Sequence, residues 1–273
     1  MHSYLFDYAV IGGDLRQVYL ADAWIKDNAK VGVYDICKPI EQAYIFSSLE
    51  EAAKNARCIL CPIPLNKDLE ILLYLKKGQI FCAGCIPKDF KVAALEKGVQ
   101  VFDYMQDVSL AHFNTIATAE GAICEAIKGS PMNLHKSKCM VLGYGKCART
   151  LTAYLKGMFC EVTVAARAET ELVQASIIAD KICHIEELEE NIEHSAFIFN
   201  TIPTVILDKK ILLKIQPSAL IVDIASAPGG VDYEAAKELS VKAISALSLP
   251  GKYAPYSTAI AMKNAVYQYV NHD

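Results

Sequence analysis

The chain is poor in several of the features that announce a function. One tryptophan occurs in 273 residues, and there is no low-complexity segment and no long basic run. With Lys+Arg 27 against Asp+Glu 31 and a net charge of −4, a general nucleic-acid or membrane-surface role is not expected. No apolar stretch reaches the length of a membrane span. The first residues lack the basic region of a secretory signal, and Asp7 interrupts a short apolar stretch, so a cytoplasmic chain is expected. No H-E-x-x-H, no Walker motif and no Ser-His-Asp order is present, so zincin, P-loop and triad-hydrolase chemistry have no support. The six histidines do not pair. His135, His184 and His194 lie in polar surroundings and read as solvated, whereas His112 is a candidate acid–base residue.

What is abundant is apolar sequence: 53% hydrophobic residues and 21% charged, a balance that suits an α/β protein with buried parallel strands. The length allows one or two domains. Ten cysteines include Cys58-Ile-Leu-Cys61 and Cys82-Ala-Gly-Cys85, a spacing that resembles a zinc ribbon. The context speaks against it, because residues i and i+3 of a strand point to opposite faces. No metal is expected, and the cysteines read as reduced, buried and small.

The most informative stretch is Val141-Leu-Gly143-Tyr-Gly145-Lys-Cys-Ala148-Arg. It lies between an apolar run, 138–142, and a helix-like run, 148–158, and so reads as strand, glycine turn and helix. Gly143 permits the tight turn, Gly145 lets backbone approach a pyrophosphate, and Ala148 stands where a third glycine packs helix on strand. The pyrophosphate would rest on the free N–H groups of the helix start, so Gly143, Tyr144, Gly145, Lys146 and Cys147 are cofactor-binding candidates. The next strand, Glu161 to Ala166, ends in Arg167. An acidic residue there suits the ribose hydroxyl of NAD, whereas an arginine suits the 2′-phosphate of NADP. NADP is the expected cofactor. Cys147 has two readings, a reactive thiol with a lowered pKa or a small residue that fits the turn.

Strands are expected at Tyr8–Gly12, Lys30–Tyr34, Cys58–Cys61, Gln79–Cys82 and Val99–Tyr104, with helices at Leu15–Lys26 (Asp14 as N-cap), Leu49–Asn55, Lys67–Lys76 and Phe90–Lys97. A crossover helix, Thr115–Lys128, precedes a second sheet at 138–142, 161–165, 177–182, 196–200, 219–224 and 241–245. A tail helix covers Ala259–Val270. The expected fold class is therefore α/β. Two doubly wound parallel-sheet domains with a cleft between them are expected, the second a Rossmann dinucleotide-binding domain. The expected limits are 1–114, 115–250 (with 115–129 as crossover helix) and 251–273, a tail returning toward the first domain.

Ligands of such sheets bind beyond the carboxyl ends of the strands. In the first half those loops hold Gly12, Gly13 and Arg16, which together suit a carboxylate; the plainer reading is a helix start with a surface arginine. In the second half, Thr201, Ile202 and Pro203 follow an apolar strand where dehydrogenases contact nicotinamide. Ser226, Gly229 and Gly230 follow the next strand, and Lys252 lies in the last loop. Glu120 is acidic within an apolar helix and either binds a ligand or has a structural role.

At these loops the chain resembles the A subunit of dipicolinate synthase from spore-forming bacteria. The resemblance is carried by Val10-Ile-Gly-Gly-Asp-Leu-Arg-Gln17, Thr118-Ala-Glu-Gly121, Val141-Leu-Gly-Tyr-Gly145, Val164-Ala-Ala-Arg167, Asn200-Thr-Ile-Pro203, Asp223-Ile-Ala-Ser226, Pro228-Gly-Gly230 and Leu249-Pro-Gly251. It runs through nearly the whole chain in order. It implies NADP-dependent oxidation of dihydrodipicolinate to dipicolinate (pyridine-2,6-dicarboxylate) during sporulation, in the mother-cell cytoplasm. It also implies a small dicarboxylate substrate and a partner in the flavoprotein-like B subunit; separately, a homo-oligomer is expected. Substrate contacts would fall to Gly12, Gly13, Arg16, Ser226, Gly229, Gly230 and Lys252, with Glu120 and His112 as candidate acid–base groups.

Three positions depart from the family pattern. Ala148 replaces a glycine, Ala227 an arginine and Tyr256 a lysine. The last two changes remove positive charge near a dianionic substrate, and Lys252 is the nearby substitute. Two alternatives follow: another NADP oxidoreductase of a small carboxylate, like shikimate dehydrogenase, or a nucleotide-binding regulatory subunit without catalysis. The lysine–aspartate pair of the former has no convincing counterpart, since Lys67-Asp68 reads as the start of an exposed helix.

Overall fold

The computed structural model describes residues 4–65 and 69–271. The chain divides into two compact units, one of Met1–Asn114 with Ala254–Asp273 and the other of Thr115–Tyr253. The first unit runs β1 (Phe6–Ile11), α1 (Leu15–Lys26), β2 (Val31–Tyr34), β3 (Tyr44–Ile45), α2 (Leu49–Asn55), β4 (Ala56–Leu60), α3 (Ile71–Tyr74), β5 (Ile80–Ala83), α4 (Lys88–Glu96) and β6 (Gln100–Asp103). Its sheet is parallel throughout, in the order β3-β2-β1-β4-β5-β6.

Alternation along the strands divides the side chains between two cores. Ile59 and Cys61 join Ala9, Ile11 and Phe81 on one face. Cys58 joins Val10, Leu20 and Trp24 on the other. On that second face the C-terminal helix, Pro255–Asn271, lays Ala259, Met262, Ala265 and Val266 against Leu20, Ala21 and Trp24 of α1. Each fully buried Met or Val of such a seam is worth about 1.5–3 kcal/mol.

The second unit follows the division within α5 (Val108–Gly129). It contains β7 (Lys138–Leu142), α6 (Lys146–Gly157), β8 (Glu161–Ala166), α7 (Glu169–Ala175), β9 (Lys181–His184), α8 (Leu188–Asn191), β10 (Phe197–Asn200), α9 (Lys209–Leu212), β11 (Leu220–Asp223), α10 (Tyr233–Glu238), β12 (Lys242–Ser245) and α11 (Leu249–Tyr253). The C-terminal helix is then α12. This sheet is again parallel, in the order β12-β11-β10-β7-β8-β9. Each sheet thus reverses its winding once, between β1 and β4 and between β7 and β10, and these reversals are where open α/β sheets take ligands.

Several expectations change. The first sheet has six strands rather than five, the extra one being β3, too short to show alternation. The strand expected at 177–182 is Lys181–His184; Ile177 is 80% exposed and belongs to the turn before it. The crossover helix begins at Val108 rather than 115. The helix expected at 67–76 is reduced to Ile71–Tyr74, and Asn66, Lys67 and Asp68 lie outside the described residues. The loop around Lys252 is helix α11. Among the described residues no helix is long and apolar enough to cross a membrane.

Candidate functional site

The β7–α6 turn is built by backbone. Gly143 has φ +89°, a conformation L side chains rarely adopt, and its N–H donates to Ala165 O at 2.8 Å. A Cβ there would stand 2.7 Å from Thr201 Oγ1 and 3.1 Å from Ile202 Cγ1. Thr201 is itself tied to β7, donating from N at 3.1 Å and from Oγ1 at 2.7 Å to Leu142 O. The sequence-predicted residues Gly143, Thr201 and Ile202 are therefore brought together across the switch point, with Pro203 exposed beside them.

Gly145 differs from Gly143. It is the N-cap of α6, supplies no side-chain cap, and a Cβ on it would meet nothing within 4 Å. The first amides of this 12-residue helix thus have no side-chain cap, and the space beside Gly145 is open. That is the geometry a pyrophosphate requires, so the residues present fit a dinucleotide there. Lys146 is exposed and Ala148 fully buried. Tyr144 is buried, with Arg149 over its ring, and Arg149 Nε donates to Tyr144 O at 2.9 Å. Burial pushes the Cys147 thiol up, against a smaller opposing effect of Lys146. An activated thiolate is not what this position produces.

Arg167 follows β8 and is exposed. Among the described residues no carboxylate forms an ion pair with it. Its carbonyl oxygen accepts a hydrogen bond from His184 Nε2 at 2.9 Å. His184, expected to be solvated, is partly exposed, and it also ends β9 and caps the following turn, a role invisible without knowing that β8 and β9 pair.

A buried carboxylate organises the ends of β10 and β11. Asp223, 2% exposed, accepts from Asn200 Nδ2 at 2.8 Å and Ala225 N at 3.2 Å through Oδ1. Through Oδ2 it accepts from Gly230 N at 3.0 Å and the Tyr233 hydroxyl at 3.1 Å. Burial pushes that hydroxyl up to about 12, so it stays a donor. Asn200 also bridges its own loop, donating to Ile202 O at 3.0 Å and accepting from Ile202 N at 3.1 Å. Gly230 is closed off by this network, since a Cβ on it would overlap the Asn200 amide. Gly229, at φ +89°, and Ser226 shape the adjoining turn, with Gly229 N donating to Ser226 O at 2.9 Å. Sequence reasoning assigns Asp223 no role; an acidic residue ending an apolar strand is the available signal.

The first unit's switch point is occupied by its own side chains. Gly12 and Gly13 have φ +57° and +82°, and a Cβ on Gly13 would lie 2.5 Å from Gln17 Cγ and 3.1 Å from Pro62 Cβ. Arg16, expected to offer a free positive head, is paired instead. Its Nε donates to both Asp14 oxygens, at 2.9 and 3.1 Å, and Nη2 to Asp14 Oδ2 at 2.8 Å and Ile63 O at 2.9 Å. Burial pushes the Asp14 carboxyl up, but the Arg16 hydrogen bonds and charge outweigh this and hold it below its ordinary value. A second carboxylate would have to share that guanidinium.

The remaining candidates are dispersed. Glu120 is exposed on α5. His112 is exposed, its Nδ1 2.7 Å from Val108 O. Lys252 is in an ion pair with Glu125, which also accepts from the Tyr253 hydroxyl at 2.8 Å; the Lys252 hydrogen bond holds Glu125 below its ordinary value despite burial. Glu125, rather than Glu120, is the buried acid of this helix, and spacing alone does not distinguish them. Gly121 serves the same seam: a Cβ there would lie 2.9 Å from both Leu249 Cβ and Tyr253 Cδ2. Tyr256 packs edge-on against Tyr19 at 5.5 Å. Cys58 faces Cys82 at 3.8 Å between sulfurs, Cys61 turns to the opposite core, and Cys85 is exposed. Among the described residues no group of three or more His, Cys, Asp or Glu is placed to hold a metal ion.

Two doubly wound parallel sheets, one opening a glycine turn onto an uncapped helix, define a two-domain α/β protein of the dehydrogenase architecture. A transhydrogenase from Sinorhizobium meliloti has this fold, with TM-score 0.65 and 14% identity over 93% of this chain and 89% of that one. Residues 7–105 match the family model of the N-terminal domain of the dipicolinate synthase A subunit. The dipicolinate synthase A subunit of Bacillus subtilis (strain 168) is 32% identical over 173 residues, 63% of this chain and 57% of that protein. The alignment therefore spans less than two thirds of that relative. The crystal structure of the dipicolinate synthase A subunit from Bacillus halodurans superposes with TM-score 0.86 at 20% identity, covering 98% of this chain and 99% of that one. The chain is thus similar to the dipicolinate synthase A subunits, with residues 7–105 matching the model of their N-terminal domain.

Proposed function

We propose that the chain is an NADP-dependent oxidoreductase that converts dihydrodipicolinate to dipicolinate, as the A subunit of a dipicolinate synthase. One observation carries the cofactor part: the uncapped start of α6 beside the open face of Gly145, at a switch point of the sheet. The relatedness to A subunits supports the substrate.

The bound nicotinamide would accept a hydride from a ring carbon of the substrate, and the substrate would release one proton as its ring becomes aromatic. The chain's own residues have simpler tasks. Amides at 145–148 seat the diphosphate, and Arg167 answers the 2′-phosphate. Thr201 and Ile202, held against Gly143, set the ring's resting face. Aromatisation is strongly downhill, so no general base is assigned and solvent takes the proton. The B subunit is the proposed partner.

The Arg16–Asp14 pair, Ala227 and the ring-packed Tyr256 favour a second reading, a nucleotide-binding regulatory subunit with no turnover of its own. Purified protein, dihydrodipicolinate and NADP+ separate the two. Appearance of pyridine ultraviolet absorbance together with NADPH is expected. Silence with the B subunit present would overturn the catalytic reading, while NADP+ binding in that silent protein would support the regulatory one.

A further inference from the structure

We infer that His184 is a specificity-positioning residue, which fixes the backbone of Arg167 so that its guanidinium is held for the 2′-phosphate of NADP. The role rests on the proposed pairing of Arg167 with that phosphate, and it adds a residue from a different strand.

The geometry is a short relay. The register of the parallel pair β8–β9 sets Ala166 opposite His184, so the imidazole stands beside the first residue past β8. A carbonyl oxygen only accepts, so the 2.9 Å contact to Arg167 O makes Nε2 the protonated nitrogen. Nδ1 is then the acceptor, and it faces the Glu186 N–H at 3.4 Å. His184 is fixed in turn by its own amide, which donates to Glu187 Oε2 at 3.2 Å and completes a capping box. The imidazole is thus held from two sides, with only its Nε2–H aimed at residue 167.

The segment it braces has little other support. Ala168, the N-cap of α7, supplies no side-chain cap, and its carbonyl is used by Glu171 and Leu172. Among the described residues, His184 is the side chain that bonds to the Arg167 backbone. An exposed arginine on a short hinge carries many rotamers, and fixing the backbone beneath it narrows the cone its guanidinium sweeps. NAD has no 2′-phosphate and so gains nothing from the brace, which gives the role a selective signature.

The test is calorimetric binding of NADP+ and of NAD+ to wild type, His184→Ala, His184→Gln and His184→Asn. Glutamine places an amide N–H near Nε2, whereas asparagine stops at the level of Nδ1. Wild type should prefer NADP+. His184→Ala and His184→Asn should weaken NADP+ by about threefold to tenfold, the scale of one hydrogen bond, with NAD+ held within about twofold. His184→Gln should recover most of the loss. If His184→Ala fails to fold, the glutamine–asparagine contrast alone decides. Unchanged preference in both the alanine and asparagine variants overturns the inference and leaves the Arg167 assignment standing. Equal weakening of both dinucleotides marks a structural cap and overturns it as well. Wild type without preference for NADP+ removes the Arg167 assignment, and the brace with it.

Discussion

The two sheets share one strand order and one kind of switch point, and they differ in what fills it. In the first unit, α1 opens with Asp14, whose carboxylate caps the amide of Arg16 at 2.9 Å and holds the guanidinium as well. Gln17, 1% exposed, packs where Gly13 has no side chain and donates to Leu60 O at 3.2 Å. In the second unit, α6 opens with Gly145, which has no side-chain oxygen to cap its helix. The same fold therefore yields a packed, self-neutralised join at one switch point and, at the other, a helix start with no side-chain cap and open space beside Gly145. One residue at the helix cap decides which, because a capping carboxylate occupies the amides and repels a second anion.

This contrast can be broken by single substitutions, from the largest effect down. Gly143→Val places a branched side chain at φ +89° against Thr201 and should cost ~3 kcal/mol of stability. Gly13→Val should cost a similar amount, read by thermal unfolding, yet leave dinucleotide binding untouched. Loss of NADP+ binding in the folded Gly13 variant would contradict the division of labour. Arg167→Asp should weaken NADP+ by about 1.5–3 kcal/mol and spare NAD+, as calorimetry would show. Gly145→Val enters open space, so Tm should hold while dinucleotide affinity falls at least about tenfold, or ~1.4 kcal/mol. An unaltered affinity there would sink the seat.

The smallest effect concerns acid. Asp14→Asn keeps a capping oxygen and loses only a partly exposed ion pair, under about 1 kcal/mol at neutral pH. In the wild type the carboxyl sits below its ordinary 3.8, so its contribution is complete above that value and fades as pH falls through the lower, folded one. The variant should lack this fade in acid unfolding curves; superimposable curves would deny the pairing. If Arg16 does take a substrate carboxylate, the same variant should also lower KM, since its competitor is gone.

Local signals are legible where a single segment determines the outcome. The apolar run into Gly143, the helix from Leu15 to Lys26 and the capping role of Asp14 are set within a few residues of chain, and they stand as expected. What fails depends on partners distant in sequence. Ile177 and Ile178 look like a strand but are exposed, and the strand falls at Lys181, where pairing with Thr163 is available. Glu125 and Lys252 meet across 127 residues, so nothing in their flanks distinguishes Glu125 from Glu120. His184 looks like a surface histidine until β9 is laid beside β8.

The four-fold coordination of Asp223 has a consequence for how such a chain can change over generations. Its two oxygens tie together the end of β10, the end of β11, the turn at 230 and the hydroxyl of α10. A neutral amide in its place would turn donors toward donors, so no one of these loops could drift without the others. Diversification is then channelled into neighbours outside the knot. Ser226, Ala227 and Pro228 are exposed beside it, so side chains can change there without disturbing the four hydrogen bonds.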